Sequence, residues 1–304
     1  GLDLPALGVN PLRKNMLLEY DWFDDSLDCA AHSHRPTAAA IARFTSAFAD
    51  SPLTNPDGSV GITVINDYGQ GGAYTGGNFI NDANGILIGG VHSTEFGNHK
   101  TANLASNRNG YFHYVILPHR YNTTSGSSGQ AELPGDDLIV SLQCFSSTDN
   151  TANTILHELG HNLNIRHGGD SNCNYKPNYN SVMNYRYQFP GVDTDCNVSP
   201  NGKLDLSRDN NRDLNENSLN EFLGVCNPPI GSFNWDGDGL IESNVSFDVN
   251  SSDNFQASQC GGTLTTLEDH DDWANMQFSG LSDKDGAHVK SVEIINCENP
   301  VPGS

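Results

Sequence analysis

His157, Glu158 and His161 stand close together, and a third histidine follows at His167. On a helix, residues four apart lie one turn above each other, separated by about 40° around the axis at roughly 100° per residue. Both imidazoles can then reach one metal ion, with Glu158 beside them as a candidate general base. A helix running straight on would point His167 about 120° away from His161, which is poor for a shared ion. The chain must therefore turn, and Asn164 suits the turn because asparagine tolerates the left-handed backbone that ends helices. His167 then returns as a third ligand. Three imidazole nitrogens leave the fourth tetrahedral position for water, as in hydrolytic zinc sites.

The elements around this stretch must hold it in place. On the predicted helix Ala152, Ile155, Leu156, Leu159 and Leu163 cluster within about 100° of arc, roughly 160° from the two histidines. One face is thus expected in a core and the other towards a cleft. Upstream, residues 15–20 (NMLLEY) and 61–65 (GITVI) read as strands, with a proline-initiated helix over 36–48 between them. Residues 111–117 (YFHYVIL) and 137–142 (DLIVSL) are stronger strands, 85–91 (GILIGGV) is a further candidate, and 122–129 (NTTSGSSG) is a loop. Beyond His167 the chain is rich in Asn, Asp, Gly and Ser. There a short helix is expected over 217–223, stopped by Gly224, and a terminal helix over 265–278. The order predicts an α/β (α+β) fold, with strands and a helix ahead of the histidine helix and a loop-rich region after it.

The run HELGHNLNIRH at 157–167, followed by Ser181-Val182-Met183-Asn184-Tyr185, resembles the metzincin clan of zinc endopeptidases. The resemblance makes His157, His161 and His167 zinc ligands, Glu158 the general base and Met183 the methionine turn beneath the metal. Tyr185 matches the tyrosine of astacins and serralysins that ligates zinc or steadies the oxyanion. Two departures stand out. Asn164 replaces the usual glycine, and Gly168 follows the third histidine where other residues sort members into families. The resemblance implies a single catalytic domain with an upper subdomain over 1–167, carrying a mixed twisted sheet and the active-site helix, and an irregular lower one over 168–304. It also makes 111–117 the edge strand along which a protein or peptide substrate would lie. Two other readings remain. A zinc amidohydrolase of another clan would take its third ligand from a separate helix and leave His167 without a role. A non-catalytic zinc-containing binding or adhesion protein would have no use for Glu158.

The 304 residues carry a formal net charge of −22, from 15 basic and 37 acidic side chains, which argues against nucleic acid and anionic membranes as partners. No apolar run approaches the roughly 18 residues of a membrane span. The opening at Gly1 reads as a processed or trimmed form. Seven cysteines without a CxxC pair predict the structural disulfides of a secreted protein, with at least one thiol free or paired outside the chain, and the chain is expected to be a monomer. Cys173–Cys196 is the expected brace of the segment leading to Met183, and Cys226–Cys260 a second pair. Asn234, Asp236 and Asp238 alternate before Gly239, with Glu242 beyond, like the first half of a calcium loop. Val245 stands where that loop needs its bidentate glutamate. Asp205, Asp209, Asp213 and the acidic run 268–272 read as charge on a solvated face. His32, His34, His92, His99, His113, His119, His270 and His288 show no ligand spacing and read as surface or hydrogen-bonded residues. The His32–Ser33–His34 pair is the one among them that could hold a metal.

Overall fold

The computed structural model describes residues 1–82, 84–250, 258–278 and 293–300. The chain divides into two units, one formed by Gly1–Asn164 with Gln277–Ser304 and the other by Ile165–Met276. The C-terminal segment thus belongs with the sheet of the first unit.

In that unit the long strand β1 (Asn15–Asp25) is the organising element, buried from Met16 to Phe23. At its end it pairs antiparallel with β2 (His32–Ser33). Along one side it pairs in parallel with β3 (Thr63–Asp67) and β4 (Phe79–Ile80). A separate parallel pair joins β5 (Ile86–Leu87) and β7 (Arg120–Tyr121). On the other side of β1 lies β6 (His113–Leu117), in parallel register with Leu18 opposite His113. The sheet continues through β9 (Asp137–Val140), parallel to β6, and β8 (Ser127–Leu133), antiparallel to β9. It ends at β12 (Glu293–Pro300), antiparallel to β8. Parallel and antiparallel ladders in one sheet with helices packed on it make the mixed α/β fold the sequence led us to expect.

Three α-helices belong to this unit among the described residues. Helix α1 (Ala38–Ala49) is capped by Thr37 and buries Ala40, Ile41, Phe44, Ala47 and Phe48. Helix α2 (Thr94–Asn103) is capped by Ser93 and buries only Phe96, too sparse a pattern to stand out by periodicity. Helix α3 (Thr148–Asn162) begins at Ser147, whose hydroxyl accepts from the Asn150 N–H at 3.1 Å, and it packs on α1, β8 and β9.

The strand expected at the sheet edge lies inside it. All five residues of β6 are buried, and β1 and β9 use both of its hydrogen-bonding sides. A continuous apolar run is what a strand covered on both faces requires. The edge on that side of the sheet falls instead to β12, next to β8, part of which read as loop because Ser-Ser-Gly-Gln-Ala-Glu-Leu is polar. All seven residues of β8 are nevertheless buried.

The second unit has little regular structure. Strands β10 (Leu214–Asn215) and β11 (Thr266–Leu267) pair antiparallel. Leu214, Leu219, Val225, Trp235, Val245 and Leu267 pack with Val198 and Cys173 into its core. Only Asp272–Asn275 of the expected terminal helix forms, as the one-turn helix α4, because Thr266 and Leu267 are drawn into the β10 pair and Asp271 caps a late start. The expected helix over 217–223 shrinks to a 3₁₀ turn at Glu221–Leu223.

The disulfides are Cys29–Cys144, Cys173–Cys260 and Cys196–Cys226. This corrects both expected pairs. Cys226 bridges to Asn211 through the backbone, and its carbonyl is held by the Arg212 guanidinium. Tertiary placement of this kind, rather than bracing of the segment before Met183, sets the partners. Among the described residues no helix is long and apolar enough to cross a membrane.

Two of the acids expected on a solvated face are inside. Asp205 accepts from the Trp273 indole N–H at 3.1 Å. Asp272 is fully buried and accepts from the Tyr179 hydroxyl at 2.8 Å, the Ser181 hydroxyl at 2.6 Å and the Ser207 N–H at 3.1 Å. Burial pushes its pKa from 3.8 up to about 7. A carboxyl held protonated in the fold but ionised earlier in the unfolded chain loses its stabilising contribution as pH rises from about 4 to about 7. The stability difference between wild type and Asp272→Asn is therefore expected to shift against wild type across that window. Urea midpoints at about pH 4.5 and about pH 7.5 read it. A constant difference would contradict the assignment.

Candidate metal centre

The last two turns of α3 carry His157, Glu158 and His161, all completely buried. Their apolar backing, Ala152, Ile155, Leu156, Leu159 and Leu163, is buried as well. Asn162 fixes the end of the helix to the sheet. Its side-chain N–H groups donate to the carbonyls of Glu132 and Asp137, each at 3.0 Å, and its Oδ1 lies 3.1 Å from His113 Nδ1. The helix then stops at Leu163, and Asn164 turns the chain in the left-handed conformation with φ +69°.

The two imidazoles meet nearly edge to face, with ring planes at 88° and centroids 4.8 Å apart. Their Nε2 atoms are 3.3 Å apart. Two nitrogens bound tetrahedrally to one zinc at about 2.0–2.1 Å would be separated by roughly 3.4 Å. The pair therefore fits a shared zinc ion.

A third donor comes from β12. Cys297 is buried, stands outside the three disulfides, and places its sulfur 3.1 Å from His157 Nε2 and 3.4 Å from His161 Nε2. A thiolate and an imidazole sharing a tetrahedral zinc would be roughly 3.5 Å apart. The antiparallel register puts Cys297 opposite Gly129 of β8. Beneath Gly129 lies Glu158. A Cβ at position 129 would fall 2.2 Å from Glu158 Oε1 and 2.6 Å from the Ile139 carbonyl oxygen. The glycine thus leaves room for the glutamate. Neither Glu158 oxygen accepts a hydrogen bond from a nitrogen or hydroxyl. Burial drives its pKa well above the ordinary carboxylate range, partly offset by the neighbouring Cys297 thiol.

The second unit holds the other residues that the resemblance singled out. His167 is nearly buried, and its ring centroid lies 4.5 Å from that of Tyr185. Asn174 Oδ1 accepts the Tyr185 N–H at 2.9 Å. Met183 is fully buried in a turn whose Ser181 hydroxyl is anchored on Asp272, while the Val182 N–H donates to the Asp205 carbonyl at 3.1 Å. The Asp272 carboxyl and the Asp205 main-chain carbonyl thus hold the turn that carries Met183.

The expected calcium residues come only partly together. Asp236, Asp238 and Glu242 have oxygens within 4.8 Å of one another. Asn234, Asp236 and Asp238 turn their oxygens onto the loop's own N–H groups at Gly237, Asp238 and Leu240, and Asp238 and Glu242 are exposed. Such Asx turns account for the alternating pattern without an ion. Of the histidines read as surface or hydrogen-bonded, His34, His113 and His119 are buried and sit at hydrogen-bond distance from Asp25, Asn162 and Asp28. His288 lies outside the described residues. Cys297 and Gly129 carried no motif in the sequence, and the odd cysteine count was the one signal that pointed towards a spare thiol.

No model of a protein family matches the sequence, and no curated protein matches it either. One solved structure that does match is archaemetzincin from Methanopyrus kandleri. It is 15% identical, with 58% of this chain and 83% of that chain covered and a TM-score of 0.32. A likeness of that size supports no functional inference.

Proposed function

We propose that the chain is a secreted zinc endopeptidase that acts as a monomer on extended protein or peptide substrates. His157, His161 and His167 would hold the metal, with Glu158 as general base. The observation that carries this reading is the Glu158 carboxylate. It is completely buried beside two histidines set a tetrahedral edge apart, and no nitrogen or hydroxyl satisfies it. Burying such a group costs several kcal/mol that the helix alone does not recover. Handling a proton is a reason to keep it there.

Zinc in this site would polarise the scissile carbonyl and bring the pKa of a water towards about 7. Glu158 takes the proton of the attacking water and passes it to the leaving amine. The Tyr185 hydroxyl would steady the developing oxyanion or act as a further ligand, and Met183 would serve as the methionine turn. Substrate binds where β12 now lies, adding itself to β8 through main-chain hydrogen bonds. Secretion accords with the three disulfides, which persist in oxidising compartments.

His167→Ala tests the ligand set. We expect zinc affinity to fall at least about 100-fold, beyond the loss typical of an outer-sphere partner, and cleavage to disappear with it. Zinc that stays stoichiometric in this variant would place the third ligand elsewhere and favour an amidohydrolase of another clan.

One observation favours a non-catalytic zinc protein. Cys297 beside His157 and His161 would help close the donor set, as structural sites are closed. The unsatisfied Glu158 and the glycine that makes room for it favour the enzyme. The Cys297 variants discussed below separate the two.

A further inference from the structure

A second convergence of ligands lies elsewhere in the first unit. Asp25, His32, His34 and His119 each place a donor atom within 4.8 Å of the others. Asp25 ends β1, His32 lies on β2, His34 directly follows that strand, and His119 sits between β6 and β7. The three imidazoles touch pairwise, with centroids 4.5, 5.4 and 5.7 Å apart. Each segment is independently fixed. The His34 N–H donates to the Phe23 carbonyl at 3.0 Å and the His119 N–H to the Gly85 carbonyl at 2.9 Å. The Cys29–Cys144 disulfide anchors the loop entering β2.

The ring nitrogens divide into outward and inward sets. His32 Nδ1 lies 3.0 Å from the Ala30 carbonyl, and its buried Nε2 has no hydrogen-bond partner. His119 is completely buried, and its Nε2 lies 3.2 Å from Asp28 Oδ2. Its Nδ1 is 3.2 Å from Asp25 Oδ1 but lacks hydrogen-bond geometry. His34 Nε2 meets the other Asp25 oxygen at 2.7 Å. If these were ordinary hydrogen-bonded histidines, the His34–Asp25 contact would be explained. The two inward nitrogens without partners would not. Metal-bound histidines characteristically give their outer N–H to a backbone carbonyl or carboxylate, the roles filled here by Ala30 and Asp28.

We propose that Asp25, His32, His34 and His119 form a second metal site that takes one divalent transition-metal ion, with zinc the best match to three imidazoles and a carboxylate. Four protein donors fill a tetrahedral shell, so the role is structural. The ion ties the end of β1 to β2 and to the segment joining β6 and β7. A cleft of about 910 Å³, lined in part by Asp24, Asp25, His32 and Ser33, provides the route in.

Metal analysis of the purified chain tests this independently of the proteolytic reading. Wild type is expected to hold two zinc ions per chain, His157→Ala/His161→Ala one, and that variant with His34→Ala and His119→Ala added none. One zinc in wild type that vanishes in His157→Ala/His161→Ala would overturn the second site. One zinc that survives in His157→Ala/His161→Ala would uphold it and count against the proteolytic reading. Should the quadruple variant fail to fold, Asp28→Asn in the His157→Ala/His161→Ala background serves instead. Asp28 is exposed enough to tolerate the change, and loss of this outer partner is expected to weaken zinc by about 10–100-fold in a chelator competition. Unchanged affinity there would overturn the proposal.

Discussion

Glu158→Gln is expected to lower kcat for peptide hydrolysis by about 10²–10⁴-fold, the usual worth of a positioned general base. Zinc content and fold should be preserved. Glutamine matches the shape of glutamate and fits the space that Gly129 leaves by lacking a Cβ. It cannot accept the proton that the attacking water must lose. KM is expected to change little, because the variant removes an interaction made on the way to the transition state rather than one that binds substrate. Full activity in Glu158→Gln would mean that the proton goes elsewhere and that the buried carboxylate is structural.

The second large effect concerns Cys297. In the described structure β12 pairs with β8 at the end of the sheet, and the Cys297 thiol lies beside His157 and His161. A substrate using the same strand and the same open coordination position must displace both. A tethered segment competes at an effective concentration in the millimolar range, so substrate at about 10–100 µM is outcompeted by roughly tenfold to a hundredfold. Cys297→Ala should therefore raise the initial rate at low substrate. A chain ending at Phe278 should raise it further, chiefly by lowering the apparent KM. If both variants keep their zinc and neither cleaves, the non-catalytic reading gains over the enzyme.

The elements of the candidate metal centre were legible in the sequence to the extent that local rules govern them. The helical period put His157 and His161 on one side and Leu156 and Leu159 behind them, and the left-handed tolerance of asparagine made Asn164 the candidate for the turn. Features decided by distant partners were not legible. Strand β8 has a loop-like composition because neighbours on both sides bury it, and Gly129 is there to clear Glu158 rather than to make a turn. Cys297 lies 140 positions from His157, and only the sheet ladder brings them together. The apolar run in β6 suits a central strand, whereas the clan resemblance had made it the edge. His32 and His34 stand two apart on one segment and were the pair the sequence marked for a metal, whereas Asp25 and His119 come from two other segments and no spacing tied them to it.

Chelation followed by reconstitution tests the central claim most directly. The chain would be assayed on denatured casein before and after zinc removal, then again after zinc is restored, with the cleaved bonds mapped by mass spectrometry. The account predicts cuts at internal peptide bonds that stop on chelation and resume with zinc. Cleavage indifferent to chelation, or no cleavage by zinc-loaded chain even with residues 279–304 removed, would contradict it.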